Sequence, residues 1–141
     1  DWEPKTLLGQ PLRAEGLALA GRPDEALPLL AEALALIARH GERYFEPEVH
    51  RMMGQLLRDC GRGDAQALPW LEDALAQAQA LRLPGLALRA ALSLAPAWAA
   101  GGRRLEALAL LDRCLGVVSE GAATHDPVQA RALLARLAGP A

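Results

Sequence analysis

The sequence predicts an all-α fold of stacked antiparallel helical hairpins, and three observations carry that prediction. Apolar residues make up 52% of the chain but aromatics only 4%, so the interior is built from Leu and Ala, which pack helices closely and suit strands poorly. One amphipathic segment recurs at nearly constant spacing, and a turn rich in glycine precedes each copy. At 141 residues the chain has the length of one domain and can bury roughly two thirds of the surface its unfolded form exposes.

The recurring segment reads Asp24-Glu25-Ala26-Leu27-Pro28-Leu29-Leu30-Ala31-Glu32-Ala33-Leu34, then Ala65-Gln66-Ala67-Leu68-Pro69-Trp70-Leu71-Glu72-Asp73-Ala74-Leu75, then Leu105-Glu106-Ala107-Leu108-Ala109-Leu110-Leu111-Asp112-Arg113-Cys114-Leu115. Ala26, Ala67 and Ala107 are 41 and 40 residues apart. Within each copy the apolar positions fall at i, i+1, i+4, i+7 and i+8, which is one face of a helix with 3.6 residues per turn. Before the copies stand Gly21-Arg22-Pro23-Asp24, Gly61-Arg62-Gly63-Asp64 and Gly101-Gly102-Arg103-Arg104. Glycine adopts the left-handed conformation that ends a helix, and Asp24 and Asp64 are expected to cap the next one.

Two helices joined by so short a turn lie antiparallel and close, so a small side chain is needed where their backbones approach and a larger one a turn later to fill the gap. Ala26, Ala33, Ala67, Ala74 and Ala107 suit the first role, and Leu30, Leu71 and Leu111 the second. This spacing resembles the tetratricopeptide repeat, whose second helix carries a small residue, a large one four later and a small one three after that. In the first helix of that unit a large, a small and an aromatic residue are asked for. Met53-Gly54 with Leu57 and Leu94-Ala95 with Trp98 meet the pattern, and Arg13-Ala14 with Leu17 meets it in part. The resemblance implies a TPR-like right-handed superhelix, an α-solenoid of about seven helices. Its period is near 40, against about 34 for the usual unit, and the proline that often closes the unit is missing, so it is similar to the elongated repeats of bacterial regulators.

The helices are expected at about 4–20, 24–39, 46–60, 64–82, 85–100, 103–118 and 127–138. As a single repeat domain over 1–141, the units run about 5–42, 43–83 and 84–120, with a C-terminal capping helix at about 126–138 that covers the last hairpin. Asp126 and Pro127 suit the N-cap and first position of that helix. Leu7, Leu8 and Leu12 would face a preceding repeat. Pro28 and Pro69 each remove a backbone hydrogen bond at equivalent points, and Pro96 is expected to kink its helix.

The 15 basic and 17 acidic residues leave a net charge of -2 with no basic run, so nucleic acid is not expected as a direct partner. No stretch approaches the roughly 20 apolar residues that span a bilayer, and Asp1-Trp2-Glu3-Pro4 is neither a signal peptide nor an initiator start. The expectation is a cytoplasmic piece of a longer chain that does not engage a membrane. Cys60 and Cys114 have no disulfide-framework or zinc spacing and are read as core residues. His40 near a helix end, His50 in a helix and His125 in a loop form no metal set. Without a phosphate-cradling glycine loop, a nucleophile elbow or His-Glu-x-x-His, no catalytic residue, cofactor site or metal site is expected, and the chain is read as not an enzyme.

Binding is the expected activity. In tetratricopeptide repeats the first helix of each unit lines the concave groove, and the resemblance carries that role to Glu48, Arg51, Gln55, Arg58 and Asp59 of the second unit and Arg89 of the third. Arg51, Gln55 and Arg58 lie three and four apart, on one helical face, where a guanidinium can pair with a carboxylate. The strip suits a protein or peptide partner, a neighbouring domain of the same chain, or a small anionic ligand. A second copy of the chain is a further candidate. The competing reading is a solvated face carrying intrahelical pairs such as Glu48 with Arg51. Trp98 is expected in the core, and Trp70, if exposed, would suit contact with a neighbouring domain.

A finer resemblance covers Gly41-Glu42-Arg43-Tyr44-Phe45-Glu46-Pro47-Glu48-Val49-His50-Arg51-Met52-Met53-Gly54-Gln55-Leu56-Leu57, Ser119-Glu120-Gly121 and Asp126-Pro127-Val128-Gln129-Ala130-Arg131-Ala132-Leu133-Leu134. These are similar to C-terminal repeat regions of bacterial signalling ATPases fused to cyclase or transcription-regulator domains. That resemblance implies a non-catalytic interaction scaffold regulating a multidomain protein. The alternative is a repeat that senses a small molecule and biases an adjoining ATPase or output domain.

Overall fold

The computed structural model describes residues 21–41, 43–118 and 125–139. Among them are α1 (Pro23–His40), a 3-10 turn (Arg43–Phe45), α2 (Glu46–Asp59), α3 (Asp64–Ala80), α4 (Pro84–Ala100), α5 (Arg104–Val117) and α6 (His125–Ala138), with no strand among the described residues. The periodicity thus places every described helix to within about two residues, the uncertainty usual at frayed ends. The expected helix over 4–20, with Leu7, Leu8, Leu12, Arg13, Ala14 and Leu17, lies outside the described residues, as does the segment Ser119-Glu120-Gly121. The chain forms two compact units, Asp1–Ala74 and Leu75–Ala141, divided within α3.

In the first unit α1 packs on α2, and the core gathers Ala26, Leu30, Ala33 and Ile37 from α1, Val49, Met52, Met53, Leu56 and Leu57 from α2, and Ala67 from α3. The close approach anticipated for small residues is sharpest at Gly54 on α2. A Cβ there would stand 2.6 Å from Leu71 Cγ and 3.1 Å from the Ala67 carbonyl oxygen, nearer than atoms in a packed interior tolerate. Gly54 is therefore the position that lets α2 and α3 lie side by side.

In the second unit α4 packs on α5, and α6 packs on both. Leu88, Leu94, Leu110 and Leu111 are fully enclosed, and α6 contributes Pro127, Ala130 and Leu133 to the interior. The repeat is visible in burial. Ala26, Ala67 and Ala107 are 0% exposed, as are Leu30, Leu71 and Leu111 one turn on, and Cys114 is buried where the earlier copies carry Ala33 and Ala74.

The turns repeat one hydrogen-bonding scheme. After α2, Arg62 N–H donates to Leu57 O and Gly61 N–H to Arg58 O; after α4, Arg103 N–H donates to Trp98 O and Gly102 N–H to Ala99 O. Gly61 and Gly102 have φ of 73° and 88°, the left-handed closure that satisfies a helix's last carbonyls. The α3–α4 turn makes the same pair of bonds, Leu83 N–H to Ala78 O and Arg82 N–H to Gln79 O, but its left-handed residue is Arg82 at φ 57°. A residue bearing a Cβ holds that conformation at a cost of about 1–2 kcal/mol.

Several local expectations are corrected. Asp24 and Asp64 are not N-caps. Each sits in the first turn of its helix, where its carboxylate accepts from an arginine, Asp24 from Arg62 at 3.3 Å and Asp64 from Arg58 at 2.9 Å. A carboxylate in the first turn also complements the helix dipole, so little is lost by leaving the cap position empty. His125 is the first residue of α6 and not part of a loop. Asp126 therefore lies inside the helix, and its carboxylate is 3.5 Å from Arg89 Nε. Helix α4 runs through Pro96 to Ala100, the end that the apolar period implied. Trp98 is half-buried, with Arg103 stacked 4.1 Å from its ring centre, because it lies in the last turn of its helix beside a turn that returns an arginine over the indole face. Cys60 is half-buried as well, since α2 stops one residue before it.

Candidate functional site

Helix α2 is buried on most of its circumference, with Pro47, Val49, Met52, Met53, Gly54, Leu56 and Leu57 all enclosed. Its open strip runs through Glu48, Arg51, Gln55 and the Arg58–Asp59 pair of positions, spaced three and four apart and hence on a single face. Its first half is recessed, with the Glu48 and Arg51 side chains only 21% and 17% exposed, while Asp59 at the other end is exposed. Polar groups held this far from water are satisfied within the protein.

Three pairings do this. Arg51 donates from Nε and Nη2 to both oxygens of Glu48, at 2.8 and 2.9 Å, in the two-pronged geometry a guanidinium offers a carboxylate. Gln55 Nε2 donates to Asp59 Oδ1 at 3.0 Å. Arg58 Nε reaches forward to Asp64 Oδ1 at 2.9 Å. Five of the six residues singled out from sequence thus form one polar strip, most of it paired along the helix. Arg89 belongs to the second unit, on α4, with Asp126 as its neighbour.

Behind the strip, α2 turns His50 toward α3. The imidazole meets the Trp70 ring edge-on with centres 5.1 Å apart, and Nδ1 lies 3.3 Å from Asp73 Oδ2, within ion-contact distance but not aligned for a hydrogen bond. Trp70 is half-buried and borders an open apolar groove of about 720 Å³ between α1 and α3. The exposed Pro28 and Pro69 stand at equivalent repeat positions on its two sides.

Burial pushes the Cys114 thiol up from its ordinary value, against the opposing pull of Arg113. Cys60 is raised too, first by loss of hydration and then by the neighbouring Asp24 carboxylate. Among the described residues no group of three His, Cys, Asp or Glu side chains is placed to hold a metal ion, and no helix is long and apolar enough to cross a membrane.

Sequence reasoning did not find Asp64 and Asp126 as the partners of Arg58 and Arg89, because neither pair has helical spacing. It also passed over Arg82. The signal was present: Leu81-Arg82-Leu83-Pro84 occupies the turn where the flanking turns carry glycine.

No protein-family model matches the chain, and no curated protein matches it in sequence. Solved structures do. The nearly identical TPR-like repeats of a Podosopora anserina protein designated a kinesin light chain superpose with a TM-score of 0.78 at 22% identity, covering 97% of this chain and 67% of that one. A point variant of the same repeats gives a TM-score of 0.77 at 21% identity, over 97% and 68%. The fold is that of TPR-like helical repeats, as the alanine and leucine spacing implied.

Proposed function

We propose that this chain is a non-catalytic interaction scaffold that binds a protein or peptide, or a neighbouring domain of its own chain, through the polar strip of α2. One observation carries the reading: a helix whose apolar face is enclosed presents Glu48, Arg51, Gln55, Arg58 and Asp59 as one polar line, recessed at Glu48 and Arg51 and open at Asp59. An incoming carboxylate can take over the guanidinium fork of Arg51 while a cationic or amide group takes the released Glu48. Such exchange leaves neither Arg51 nor Glu48 without a partner, and selectivity follows from charge order.

The setting we propose is the C-terminal regulatory repeat region of a bacterial multidomain signalling ATPase or transcription regulator in the cytoplasm. The Gly41–Leu57 and Asp126–Leu134 motifs support it. Finding a nucleotide-binding motif encoded upstream of Asp1 would establish that setting, and finding an unrelated domain there would remove it.

Peptides selected by display against the chain test the strip. Arg51→Glu with Arg58→Glu is expected to weaken the selected peptides at least about tenfold, since each lost charged hydrogen bond is worth roughly 1.5–3 kcal/mol. Equal affinity for the variant and the unaltered chain would overturn the proposal.

A further inference from the structure

The second unit contains a cavity unrelated to the α2 strip. It opens beside the α3–α4 turn, has a volume of about 570 Å³, and is walled by Ala78, Leu83, Pro84, Ala87, Cys114 and Val117. That volume lies within the roughly 300–1,000 Å³ of small-molecule sites. Val117 is 69% exposed and Leu83 half-exposed, so apolar side chains of the lining reach solvent at the mouth.

Two guanidinium groups, Arg82 and Arg113, border this apolar interior. Among the described residues no acidic side chain lines the cavity, and neither arginine has an ion-pair partner. Arg82 also occupies the left-handed position that glycine fills in the equivalent turns. The strain of that position is a reason to look for a use of the Arg82 side chain.

We propose that this cavity binds a small amphiphilic anion, with an aliphatic body inside and a carboxylate held between Arg82 and Arg113. The walls distinguish this occupant from a peptide. A peptide would bring backbone amide groups into the cavity, and each would need a partner. The carbonyls of Gln77, Ala78 and Gln79 at the end of α3 each already accept from an N–H group, of Leu81, Leu83 and Arg82 respectively, and Gln79 is the only uncharged polar side chain in the described lining. An aliphatic chain makes no such demand, and its one charged end meets the two cations at the rim.

The test uses the full chain and decanoate, followed by calorimetry and by the alkylation rate of each cysteine located by mass spectrometry. Decanoate is expected to bind, and to slow alkylation of Cys114 but not of Cys60. Decyltrimethylammonium, with the same chain and the opposite charge, is expected to bind at least about tenfold more weakly, as is acetate, which has the head without the body. Arg82→Gly separates site from scaffold. It relieves the left-handed strain and is expected to raise Tm while weakening decanoate about tenfold or more, and the exposed Arg113→Gln is expected to weaken it without changing helix content. Arg51→Glu with Arg58→Glu should leave decanoate binding intact, so failure of one site does not read as failure of the other. Equal binding of the cationic amphiphile, unchanged affinity in Arg82→Gly with Arg113→Gln, or no protection of Cys114 would each overturn the proposal. So would protection of Cys114 by an acidic peptide but not by decanoate.

Discussion

At Gly54 the usual sign of a helical substitution is reversed. In an ordinary helix Gly→Ala stabilises by about 1 kcal/mol. Here the added methyl would meet Leu71 Cγ at 2.6 Å, on a leucine that is 0% exposed and has no room to withdraw. Overpacking of a filled interior costs about 1–3 kcal/mol, and it outweighs the propensity gain. Gly54→Ala is expected to unfold at lower urea concentration than the unaltered chain; a shift to higher urea would show that α2 and α3 are not in that contact. The small-residue rule marked Gly54 in the sequence as part of Met53-Gly54 with Leu57, but the atom it accommodates belongs to a residue 17 positions away. Pattern gives the need for a small side chain, and only packing shows the size of the gap.

Among elements, α5 shows how a repeat position can change chemistry without changing place. Cys114 takes the site of Ala33 and Ala74, and burial raises its thiol pKa. The unfolded chain releases that proton near its ordinary value of 9.0 while the folded chain retains it. The stabilisation is therefore fully present below pH 9.0 and is lost as pH rises through the folded value. Cys60 is shifted in the same direction. Denaturation midpoints are expected to fall above pH 9 in the unaltered chain and to fall less steeply in Cys60→Ala with Cys114→Ala; matching alkaline limbs would show that the thiols do not carry the effect. Element boundaries were readable because apolar period and glycine turns both mark them. The aspartates at helix starts were misread as caps, since Asp24 and Asp64 bond to Arg62 and Arg58 across turns that no local pattern describes.

For the whole molecule, the legible part was the repeat: three alanines about 40 residues apart were enough to imply a fold that solved TPR-like repeats share. The division into two compact units within α3 was not legible, because the amphipathic pattern of α3 continues unbroken across it. Of the candidate strip, the shared face of Arg51, Gln55 and Arg58 followed from spacing alone, while the pairing with Asp64 depends on a turn geometry that appears only in three dimensions. The central claim is that α2 presents this strip to a partner. Hydrogen–deuterium exchange with and without a display-selected peptide tests it most directly, because exchange reports where along the chain protection arises. Slower exchange is expected chiefly at residues 46–59; protection that leaves 46–59 unchanged and falls instead on α1 or α6 would show that the partner binds elsewhere.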